Sequence, residues 1–168
     1  MAKPDVAIRK AGTADIPLIQ EIAYKTWPVT FQNILTAAQI IYMLDLMYSS
    51  ESLQDQMLHK NHQFLLASNS EEYSGFSSYQ VVSSSTIKIH KIYVNPEAQG
   101  KGIGASLFRY IELLAEQLHV SKVTLNVNIN NQAISFYQAR GYQTIRQEDI
   151  QIGNGYLMED YVMEKKIS

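Results

Sequence analysis

The chain predicts a mixed α/β domain of the α+β kind, with an antiparallel meander in the middle of its sheet. Three observations carry this. The apolar pattern orders the elements as strand, two or three helices, three strands, helix, strand, helix and two strands, which is not a regular βαβ repeat. Glycines at 100, 102 and 104 mark a turn between a strand and a helix. Gly153-Asn154-Gly155, flanked by alternating stretches, marks a terminal hairpin. At 168 residues and 46% hydrophobic, the chain is long enough to bury a core as one domain spanning 1–168.

The elements follow in order. Val6 to Lys10 alternates as a first strand, and Thr13 is placed to cap a helix with Ile16, Ile19, Ile22 and Ala23 on its apolar face. Pro28 is expected to end or bend that helix, because its ring disfavours helical geometry at Trp27. A second helical pattern runs from Thr36 to about Leu58, broken at Ser49-Ser50. Gln63–Ala67 and Gly75–Val82 read as strands joined by a polar loop, Ser68 to Ser74, and Thr86–Val94 is the next strand. The helix after the glycine turn should dock through Ile103, Leu107, Ile111, Leu114 and Leu118. Lys122–Asn128 is a strand and Asn131–Arg140 a helix, with Gly141 as its left-handed stop.

Composition excludes several functions. A net charge of −2 gives no general attraction to nucleic acid or to an anionic membrane. Without cysteines there are no disulfides and no thiolate metal sites. His59 and His62 stand three apart but bring no third ligand, so no metal is expected. No stretch approaches the ~20 apolar residues of a membrane span, and no apolar leader follows Met1, so a cytoplasmic protein is expected.

Gln99-Gly-Lys-Gly-Ile-Gly104 concentrates the chemistry. Glycines let backbone N–H groups converge on anionic oxygens, and the helix that starts here adds its unpaired N–H groups and positive dipole end. A P-loop does not fit, because Gly102 follows Lys101 where a hydroxyl is required. A dinucleotide fingerprint does not fit either, since the spacing is G-x-G-x-G and the next strand ends in Asn126-Val127-Asn128 without an acid.

The stretch does resemble the Q/R-x-x-G-x-G/A signature of the GNAT family of N-acetyltransferases. Ile92-Tyr-Val-Asn-Pro-Glu97 before it is similar to that family's strand end. Asn131-Gln-Ala-Ile-Ser-Phe-Tyr-Gln-Ala-Arg-Gly-Tyr142 resembles its second motif. The resemblance implies a mixed, mostly antiparallel sheet of six to seven strands flanked by helices. It also implies a bulge that splays strand 86–94 from strand 122–128. The apolar phase of Ile87, Ile89, Ile92 and Val94 slips by one residue there, which fits a bulge or a strand end buried on both faces.

The resemblance further implies acetyl-CoA as cofactor. Ile92, Tyr93, Val94, Gln99, Gly100, Lys101, Gly102, Ile103, Gly104, Ala105, Asn131, Phe136 and Tyr137 would hold it, with Tyr137 as proton donor. Phe136 is expected to take the core position beside Tyr137. Members of the family often carry a glutamate on the strand that here has Lys88 and His90. His90 is therefore either the base or a hydrogen-bonded strand histidine. Tyr24, Trp27 and Phe31 would flank the acceptor or pack the core, and Glu159, with Asp160, would face a cationic amine or solvent. The function implied is N-acetylation of a small-molecule amine, polyamine-like, or of a protein or peptide amine. A coenzyme A-binding sensor or a different acyl donor is the alternative. Dimers are common in the family, which leaves a homodimer through the last hairpin open.

Overall fold

The structure is a computed structural model that describes residues 6–69 and 72–167. Ser70 and Glu71, in the loop expected between the second and third strands, lie outside the described residues, as does the segment before Val6. Among the described residues, seven strands form one sheet in the order β1-β2-β3-β4-β5-β7-β6. They are β1 (Val6–Ala11), β2 (Gln63–Asn69), β3 (Glu72–Val81), β4 (Thr86–Val94), β5 (Lys122–Asn128), β6 (Gln143–Gly153) and β7 (Tyr156–Lys166). β1 with β2, β2 with β3, β5 with β7 and β6 with β7 pair antiparallel, while β4 pairs with β5 in parallel, from Thr86 opposite Lys122 to Ile89 opposite Leu125. The helices are α1 (Ile16–Phe31), α2 (Ala37–Tyr48), α3 (Ser50–Leu58), α4 (Ile103–Gln117) and α5 (Ile134–Ala139).

Two compact units share the chain. One comprises the residues up to Gln80 with His90–Ile111, the other Val81–Ile89 with the residues from Glu112 onward. In the first unit, Thr36 caps α2 by accepting from Gln39 N at 3.1 Å, and Ser49 caps α3 by accepting from Ser52 N at 3.1 Å. These caps satisfy amides that have no partner within the helix, which is why the break falls at Ser49. Thr13 makes no such cap. Asp15 instead accepts from Gly12 N at 2.9 Å and pairs with Arg9 at 2.8 Å.

Pro28 does not end α1, which continues to Phe31. Proline forfeits one intrahelical bond. Here Trp27 and Phe31, 1% and 4% exposed, hold the last turn through the core.

In the second unit β6 and β7 meet at Asn154-Gly155, both left-handed (φ 54° and 77°), as a tight hairpin demands. β6 is an edge strand with two irregularities of register, between Thr144 and Arg146 and between Gln151 and Gly153. Glu112 accepts from Arg140 (3.0 Å), Tyr142 (3.0 Å) and Lys165 (3.2 Å), tying the segment after α5 to β7. Leu118 is exposed rather than docked, because α4 ends at Gln117 and His119 turns left-handed (φ 56°).

Candidate functional site

The glycine turn adopts the backbone its sequence calls for. Gly100 and Gly102 have φ of +81° and +82°, where a side chain is strained, and a Cβ at either would point into open space. Gly102 O accepts from Ser106 N at 3.0 Å, so the amides of Ile103, Gly104 and Ala105 precede the first intrahelical bond of α4. Such amides, with the helix dipole behind them, take an anion. Lys101 is exposed beside them, and Gln99 Nε2 reaches back to Val94 O at 3.4 Å.

A second glycine, not anticipated from the sequence, sets this turn in place. A Cβ at Gly75 would lie 2.9 Å from Ile103 Cγ2 and 3.2 Å from Tyr93 O. Its absence lets β3, the end of β4 and the start of α4 approach closely. A glycine inside a strand pattern was the available signal.

The end of β4 is lined by aromatics. Tyr93 packs 5.8 Å from Trp27 and 5.8 Å from Phe76, and the Trp27 and Phe31 rings, tilted by 41°, lie 4.5 Å apart. Trp27 and Phe31 are thus buried in the core against a half-buried Tyr93, whereas Tyr24 is 47% exposed. His90 lies at 3.0 Å from Gln80 Oε1 through Nε2, and its ring stacks on His62 at 3.9 Å. With Nε2 donating to Gln80, Nδ1 of a neutral ring is the acceptor. His62 therefore packs on β4, and among the described residues no group of three or more His, Asp or Glu is placed to hold a metal ion.

The slip in phase along β4 has an unexpected source. Burial alternates through Ile87, Ile89 and then Lys91, and Ile92, Tyr93 and Val94 beyond it are all half-buried. Lys91 occupies a core position. Its Nζ donates to Gln56 Oε1 at 2.7 Å and lies 5.7 Å and 5.8 Å from the rings of Tyr48 and Phe64. Burial, with a smaller push from Lys60, lowers its pKa from 10.5 to about 8. The unfolded chain therefore binds a proton between pH 8 and 10.5 that the folded chain does not, so this lysine's penalty on stability eases as pH rises through that window. Lys91→Met should be more stable than wild type at pH 7. Its advantage should shrink by about 2 kcal/mol by pH 10 in paired urea unfolding. A constant difference would mean that Lys91 is not desolvated.

In the second unit, Asn131 Oδ1 accepts from Ala133 N at 2.8 Å, forming a turn that leads into α5. That helix is shorter than expected, because Asn131, Gln132 and Ala133 form the turn. The burial of its two aromatics is the reverse of the sequence expectation: Phe136 is 42% exposed and Tyr137 only 8%. Burial pushes the Tyr137 hydroxyl up to about 12, so it keeps its proton at neutral pH. Gly141 closes the segment with φ +97°, the left-handed stop its position called for. On β7, Glu159 is exposed, and it is the neighbouring Asp160, at 3% exposure, that turns inward.

The family model described as an acetyltransferase (GNAT) domain matches residues 36–165. The chain is 25% identical over 166 residues to the spermidine N(1)-acetyltransferase of Thermoplasma acidophilum, covering 96% of this chain and 97% of that one. The crystal structure of PaiA N-acetyltransferase from the same organism, in complex with coenzyme A, superposes with a TM-score of 0.81 at 24% identity, covering 96% and 99% of the two chains. A GCN5-related N-acetyltransferase structure from Rhodopseudomonas palustris gives 0.83 at 20% identity, covering 99% and 98%. With the family's match extending over both units, the glycine turn and the Tyr137 segment, the chain belongs to the GNAT acetyltransferases.

Proposed function

We propose that the protein, read as one domain, transfers an acetyl group from acetyl-CoA to a primary amine of a small cationic acceptor of the polyamine kind. The observation that carries this reading is the turn at Gly100 and Gly102, left-handed twice and opening onto the free amides of α4. Its residues fit a pyrophosphate: paired anionic oxygens are what converging N–H groups at a helix start accept. The spermidine activity named for the Thermoplasma relative, and the coenzyme A held by the PaiA crystal structure, support the choice of donor and acceptor.

Bound there, acetyl-CoA supplies the thioester carbonyl that the amine attacks and the thiolate that leaves. Much of the entropic barrier to such a transfer is removed when the two partners are held in attack geometry. The end of β4, Ile92 to Val94, offers its backbone to the cofactor's arm, and Asn131 offers a polar contact. His90 accepts the proton that the attacking nitrogen loses. Tyr137 gives a proton to the departing sulfur. The balance would be one C–N bond formed, one C–S bond broken, one proton moved from nitrogen to His90 and one from Tyr137 to sulfur, the two groups then being restored by proton exchange with solvent.

The test is thiol release from acetyl-CoA with spermidine, spermine, an aminoglycoside, amino acids and peptides as acceptors. Spermidine and spermine should be turned over fastest; no release above background with any amine would sink the reading. In the same assay His90→Ala should lower kcat/KM by about a hundredfold and erase the acidic limb of the pH profile. An unaltered limb would return His90 to a structural role.

A further inference from the structure

Asp160, on the sheet of the second unit, takes no part in the proton transfers of the acetylation. The registers of β5, β7 and β6 place Asn128, Asp160 and Glu148 in one row across three strands, and Asn126, Val162 and Arg146 in the next. Residues opposite one another in these pairs share a face. Glu148 is already engaged: Arg146 Nη2 lies 2.9 Å from its Oε1, and Asn126 Nδ2 donates to its Oε2 at 3.3 Å. Asp160 differs. It is 3% exposed, and its Oδ1 is buried without a hydrogen-bond partner. Asn126 also acts on this carboxyl as a hydrogen-bond donor, which leaves Oδ1 as the unmet oxygen, and Lys88, the cation that acts on it, forms no salt bridge with Asp160 among the described residues.

A buried carboxylate oxygen with no donor costs stability and is retained where something else brings the donor. Burial raises the Asp160 carboxyl above the ordinary carboxylate range, with Asn126 pulling it back, Glu148 pushing it up and Lys88 pulling it back. An added cation beside Oδ1 would relieve both the missing bond and the raised proton affinity. The neighbouring asparagines are neutral: Asn128 Oδ1 accepts from Asn130 N at 2.9 Å and Asn126 Nδ2 donates to Glu148, so neither brings a cation to Asp160. The surroundings therefore suit a flexible ammonium rather than a carboxylate, a phosphate or an apolar group.

We infer that Asp160 is the specificity residue for the acceptor: its Oδ1 binds the distal ammonium of an aliphatic di- or polyamine whose other end is acetylated. This rests on the acetyltransferase reading above and adds to it a residue and a requirement, a second cationic nitrogen on the acceptor. A monoamine of the same length lacks the anchored charge and should be a poor acceptor.

The experiment uses the full chain in two arms. Spermidine is titrated calorimetrically into the coenzyme A-saturated protein, and acetylation of 1,4-diaminobutane is compared with that of butylamine. Asp160→Asn, nearly isosteric, should weaken spermidine binding at least about tenfold and abolish the preference for the diamine. Coenzyme A affinity should stay as in wild type. Glu148→Gln should change spermidine affinity by less than about threefold, since that carboxylate is held by Arg146. Unchanged binding in Asp160→Asn overturns the anchor, as does an equal loss in both variants, which would indicate a diffuse acidic field. Failure of wild type to bind spermidine also overturns it. If wild type binds spermidine through Asp160 yet releases no thiol, the anchor stands and the transferase reading falls.

Discussion

Gly102→Asp should lose at least about a hundredfold in affinity for coenzyme A, because it attacks the cradle in two ways. The native φ of +82° is one that an L side chain rarely adopts, so the turn either strains or re-forms with its amides misdirected. The new carboxylate would also stand where the anion's charge must sit, and like charges brought together cost several kcal/mol. No neighbouring atom lies within 4 Å of the added Cβ, so packing itself is undisturbed. The melting temperature should therefore fall by only a few degrees, about what 1 kcal/mol of backbone strain produces in a chain of this size. Gly102→Ala separates the two causes, since it keeps the strain and omits the charge. Calorimetric affinity equal to wild type in the Asp variant would refute the cradle.

Tyr137→Phe should lower kcat by about a hundredfold with the KM for acetyl-CoA changed by less than about twofold. The substitution removes one oxygen and leaves the ring that fills the site, 8% exposed in α5. Its hydroxyl is held protonated by burial, so it has a proton to give, and a thiolate departs more easily when a proton is delivered to it. A change confined to KM would mean that Tyr137 only binds. A kcat equal to wild type would return it to packing.

How much of this was legible depended on how local the cause was. Thr36 and Ser49 cap helices through amides three residues away, and Asn154-Gly155 turns a hairpin by its own backbone, so both could be read from a few letters. β4 and β5 were bounded correctly for the same reason, by turns on either side. Lys91 was not legible, because its burial depends on Gln56, 35 residues away in sequence. Pro28 misled for a related reason: packing of Trp27 and Phe31 outweighs one lost helical bond. Phe136 and Tyr137 are adjacent and both apolar enough for a core, so only the docking of α5 decides between them. Glu159 and Asp160 pose the same choice on a strand, where a shift of one residue exchanges the faces.

The long edge strand β6 has a consequence for how this protein tolerates being concentrated. Open ladder groups on an eleven-residue edge could template another chain and seed fibrous aggregates. Arg146, Glu148 and Asp149 put hydrated charges along it, and the two breaks in register interrupt its flatness. Strand addition along this edge is thereby discouraged.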